Sequence, residues 1–142
     1  MLAAGLLSLA PRLVSAQDFH AVPPAVRHAV SGGSWRLGTV RGHHRLLVIG
    51  GDPGRDGPRL IIQWIEETAD SVRGYVRQTQ PIHAVEAPWV LGVPHFVESA
   101  NGTRATVTGT NPRNNCHATW IITIGPPGQY GVQPDRFAPT GC

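Results

Sequence analysis

From Trp35 onward the apolar and polar positions of the chain alternate with a period of two. The pattern recurs in the runs SWRLGTV, HRLLVIG, RLIIQWIE, SVRGYVRQTQ, WVLGVPHFVES, TRATVTGT and HATWIITIG. Successive side chains of a strand point to opposite faces, so each run predicts a strand with one face turned inward. Seven such runs, spaced by Gly- and Pro-bearing turns, predict a mainly β domain: a seven-stranded antiparallel sandwich or barrel. A parallel sheet needs crossovers of a dozen or more residues, and no helix-period segment of that length separates the runs.

Single runs say more. In RLIIQWIE, Leu60, Ile62 and Trp64 share one face, and Arg59, Ile61, Gln63 and Ile65 share the other. Both faces are apolar, which places this strand centrally. HATWIITIG turns Ala118, Trp120, Ile122 and Ile124 inward and His117, Thr119, Ile121 and Thr123 outward. Arg41, Gly42 and His43 read as the break between the first two strands. Asn101 and Gly102 tolerate positive φ and predict a type I′ hairpin. That loop sets Ala100 against Thr103, Val97 against Thr106, Phe96 against Val107 and His95 against Thr108. Phe96, Ala105 and Val107 then form its core side.

The flanks read differently. MLAAGLLSLAPRLVSAQDF carries an apolar run and small residues before Gln17, so residues 1–16 are expected to be a secretory signal peptide. Nothing beyond it is long and apolar enough for a membrane-spanning helix. Residues 17–34 form an entry segment, with a short helix expected over 24–31: Pro24 suits its first turn, Gly32 its end, and Val22, Val26, Ala29 and Val30 one face. A single β domain follows over 35–142. After Ile124 the alternation stops, and residues 125–142, with four Pro and four Gly, read as an irregular C-terminal strap.

Composition narrows the function classes. All 12 basic residues are arginines and the formal net charge is +3. The arginines are scattered rather than clustered among aromatics, so no nucleic-acid partner is expected. Cys116 and Cys142 are the 2 cysteines. In an exported chain they are most simply paired, tying the strap to the last strand for roughly 3.5 kcal/mol in the chain-entropy account. The expected location is periplasmic or secreted.

Catalytic and metal signatures are missing. There is no Cys-x-x-Cys, Gly-x-Ser-x-Gly, His-x-His or His-Glu-x-x-His. Weak metal candidates remain: the adjacent His43 and His44, which a strand would point to opposite faces, and His95 with His117, which meet only if their strands are neighbours. Glu66 and Glu67 are adjacent acids rather than a pair across a cleft. GGDPGRDGPR reads as a turn, because it lacks the Gly-Lys-Ser/Thr of a phosphate loop. No cofactor is expected. Trp35 and Trp89 open strands, and Tyr75 shares a strand face with Arg73 and Arg77; these five are the candidate ligand-binding residues. The leading expectation is a small exported, non-enzymatic β domain that binds a protein or glycan partner. The alternative is a small secreted enzyme or metal-binding protein that uses the surface histidines.

Overall fold

The structure, a computed structural model, describes residues 26–50, 59–69, 71–85 and 88–136, with only the backbone described at 59 and 71–73. Two antiparallel sheets pack face to face as a β-sandwich, not a closed barrel. The first sheet runs β1 (Val26–Leu37), β2 (Val40–Ile49), β3 (Arg59–Thr68) and β4 (Ser71–Ile82), in that order. A single 3-10 turn, His83–Val85, leads to the second sheet. This has five strands: β5 (Val90–Leu91) and β6 (His95–Ser99) both pair with β7 (Gly102–Asn111), followed by β8 (Cys116–Ile124) and β9 (Tyr130–Pro134). The first sheet is a meander, and so is the run β6–β7–β8–β9 of the second, with β5 beside β6 on the same edge of β7.

The core lies between the sheets. Leu46, Val48, Leu60, Ile62, Trp64 and Ile82 from the first sheet meet Ala105, Val107, Trp120, Ile122 and Ile124 from the second. β3 is central, as its two apolar faces require. β8 buries Trp120, Ile122 and Ile124 and exposes His117 and Thr123, as the alternation demands.

Several expectations are corrected. There is no α-helix among the described residues, and the segment expected to be helical over 24–31 is strand β1 from Val26 onward. Its burial alternates with period two: Val26, His28 and Val30 are half-buried, and Arg27, Ala29 and Ser31 are exposed. An isolated helix of this length is marginal, whereas β2 offers a full ladder from Val26↔Ile49 to Leu37↔Val40. That ladder puts the first turn at Gly38 and Thr39, and Gly42 falls inside β2 rather than in a break. WVLGVPHFVES divides into β5 and β6 because Pro94 has no N–H for the ladder. The strap is not wholly irregular, since β9 pairs with β8 from Ile124↔Tyr130 to Trp120↔Pro134. The bridge expected between Cys116 and Cys142 involves a residue outside the described set, as does the signal peptide; no free cysteine occurs among the described residues.

The two sheets are pinned at named points. The backbone N–H of Ser34 donates to Thr103 Oγ1 at 3.1 Å, and that hydroxyl donates to Ser34 O at 3.2 Å. Tyr130 Oη donates to Pro81 O across the opposite edge at 3.4 Å. Between them the Gly125 carbonyl accepts from Trp64 Nε1 at 2.9 Å and His44 Nε2 at 3.1 Å. The row Thr103–Ile124–Tyr130 of the second sheet therefore lies over the row Gly32–His44–Trp64–Gln78 of the first.

Candidate functional site

The first sheet continues one row past the end of the second. That row reads Trp35↔Gly42↔Glu66↔Tyr75, one residue from each strand of the sheet. Directly opposed residues share a face, so all four positions form one shelf on the inner face, in which Trp35 and Gly42 are buried and Tyr75 is exposed. Trp35 lies over Gly42: a Cβ there would stand 2.7 Å from the indole ring. The indole N–H donates to His43 O at 3.0 Å, and Trp35 is only 4% exposed. Trp35 therefore caps the core instead of offering a free stacking face.

Tyr75 reaches this row through irregularities in β4. Trp64 pairs with Gln78 and Ile65 with Val76, so Arg77 is an extra, unpaired residue. Without it, Tyr75 would oppose Glu67 on the outer face. The bulge shifts it by one position, onto the face of Glu66. Gly74, with φ of +65°, turns the chain just before Tyr75, in a region that side chains disfavour.

The three polar groups interlock. Arg77 Nη1 donates to Glu66 Oε2 at 2.6 Å, and the Tyr75 hydroxyl also hydrogen-bonds the carboxylate. The Tyr75 bond first, and then Arg77, hold Glu66 below the usual carboxylate range, so it is ionised at neutral pH. The same bond to Glu66 pushes the Tyr75 phenol up and keeps it protonated. Glu66 retains 12% side-chain exposure, while Tyr75 stays 42% exposed. The result is an open aromatic face whose orientation is fixed by a carboxylate and a guanidinium.

The other candidate residues go elsewhere. The Arg73 side chain lies outside the described residues. Trp89 packs edge-on against Trp120, with ring centroids 5.2 Å apart, at the margin of the core. Of the four expected ligand-binding residues whose side chains are described, Tyr75 and Arg77 meet in an accessible cluster, with Trp35 buried in the same row. Glu66 was missed as their anchor because only strand register and the Arg77 bulge bring it there.

The histidines separate. His43 points outward, its Nδ1 3.3 Å from Glu67 Oε1, and His44 points into the core. His95 and His117 sit on β6 and β8, which flank β7 rather than pair, and His117 shares a hydrogen bond with Thr110. Glu66 and Glu67 occupy opposite faces, so they form no facing acid pair. Among the described residues, no three His, Cys, Asp or Glu side chains gather to hold a metal ion, and no helix is long and apolar enough to cross a membrane. No family model, curated protein or solved structure matches the chain.

Proposed function

We propose that this chain is a small exported, non-enzymatic β-sandwich that binds a partner at the shelf formed by Glu66, Tyr75 and Arg77. Of the two partner classes expected from sequence, a glycan fits this chemistry better than a protein. The observation that carries the reading is the fixed, exposed Tyr75 ring. A sugar ring stacks its C–H face on such an aromatic, and the adjacent carboxylate and guanidinium accept from and donate to its hydroxyls. Fixing the side chains beforehand reduces the ordering cost of binding. Export is supported by the apolar leader, and a Cys116–Cys142 bridge belongs to the same proposal.

A glycan array probed with the purified chain tests the reading. At least one glycan is expected to bind reproducibly, and Tyr75→Ala should weaken it tenfold or more, because truncating a stacking aromatic removes about 1.4 kcal/mol or more. An array without a reproducible binder, or a binder indifferent to Tyr75→Ala, would overturn it. Intact mass after alkylation should show thiols only in the reduced chain; labelling without reduction would refute the bridge.

A further inference from the structure

A second feature occupies the same end of the sandwich. β7 and β8 part company beyond Thr103↔Ile124. One chain turns into the β6–β7 tip at Ala100 and Asn101, and the other into the β8–β9 tip at residues 125–129. The gap between these tips is an open cavity of about 370 Å³. Asn101 and Gln129 stand at the two tips, and Arg104 and Thr123 line one flank, on the face opposite the buried Ile124 side chain. Its size is at the small end for ligand sites, suited to one sugar-sized group.

The electrostatics of the cavity are one-sided. No carboxylate of the described residues lines it. Arg104 makes no ion pair among the described residues. Glu98 comes close in sequence space, but it pairs with Thr103 and so shares the face of Thr103. Arg104 follows Thr103 in β7 and points to the other face. Arg104 instead shares its row with Val97, Thr123 and Gly131, which bring no negative charge. An exposed guanidinium beside hydroxyl and amide groups, with no counter-charge among the described residues, is arranged for a planar anion.

We propose that this cavity binds the carboxylate-bearing residue of an acidic glycan, a hexuronate. Arg104 takes the carboxylate through its paired N–H groups. Thr123, Asn101 and Gln129 meet the ring hydroxyls. The inference rests on the glycan reading above and adds the substrate class: a sugar chain containing an acidic unit.

Amide chemical shifts of the isotopically labelled full chain, titrated with D-glucuronate, D-glucose and sodium sulfate at constant ionic strength, test this. Glucuronate should give saturable shifts at Asn101, Arg104 and Thr123, with glucose at least tenfold weaker. Arg104→Gln, an exposed change that leaves the core intact, should weaken glucuronate by tenfold or more. Equal responses to glucose and glucuronate overturn the role of the charge. Sulfate matching glucuronate reduces the cavity to a simple anion site and overturns the sugar assignment. The absence of saturable shifts overturns the whole inference. Failure here with Tyr75-dependent binding of neutral glycans intact refutes this cavity alone. Loss of Tyr75-dependent binding with these shifts intact refutes the shelf instead.

Discussion

The Gly125 carbonyl accepts two donors from the facing sheet, and one comes from an imidazole with no exposure at all. A carbonyl only accepts, so His44 carries its proton on Nε2. Nδ1 is buried without a hydrogen-bond partner; the Gly32 backbone is near enough to favour a proton there without satisfying one. Burial lowers the pKa of His44 below its ordinary 6.5, opposed by the Gly125 carbonyl and reinforced by the neighbouring His43. Below that ordinary value the unfolded chain binds the proton more readily than the folded one, so stability falls on acidification. Urea titrations should give a constant stability above about pH 6.5 and a decline from there toward pH 5. His44→Leu should flatten that decline, since Trp64 still serves Gly125. A variant as acid-sensitive as the parent would place the effect elsewhere.

Individual elements show where local chemistry is decisive. Pro126, Pro127, Gly128 and Gln129 form a turn in which Gln129 N–H donates to Pro126 O at 2.9 Å and Gly128 takes φ of +85°. Proline second and glycine third is the type II arrangement, and it returns the chain as β9. Gly128→Ala should cost about 1–2 kcal/mol in denaturant unfolding, because a Cβ disfavours that φ; an unchanged midpoint would show that the turn relaxes freely. The β6–β7 hairpin was legible in kind and imprecise in register. Ser99 pairs with Gly102, so Ala100 and Asn101 form the loop and Phe96 faces Ala105 rather than Val107. Serine first and glycine fourth suit a type I turn, which competes here with the Asn-Gly preference. The partner moves by two residues, so Phe96, Ala105 and Val107 still share the core face; a shift of one would have inverted them. The β4 bulge had no comparable local signal, and with it Glu66 and Tyr75 stayed apart in the sequence reading.

At the scale of the whole molecule, the docking of two sheets is what makes a core. Thr103 both donates to and accepts from Ser34, joining β7 to β1. Thr103→Val keeps the shape and leaves the Ser34 N–H and C=O without that partner, at a cost of about 1–3 kcal/mol by thermal or urea unfolding. A neutral result would mean that water replaces the hydroxyl. Beside this clasp, Phe96 packs so closely on Gly32 that a Cβ there would lie 2.6 Å from the ring. Such contacts join residues far apart in the chain, and nothing near either one announces the other.

The sequence by itself determined the β class, the central place of the Leu60–Ile62–Trp64 strand, and the inward faces of β7 and β8. These follow from alternation along one strand, a local property with a fixed period. Only the tertiary structure decided that Val26 to Ser31 extends as strand, that β9 completes the second sheet, and that Tyr75, Arg77 and Glu66 meet. Each depends on a hydrogen-bonded partner strand, on its register, or on a single extra residue such as Arg77. Pairing across strands outweighed the weak helical preference of a short segment, and register set which side chains share the open shelf.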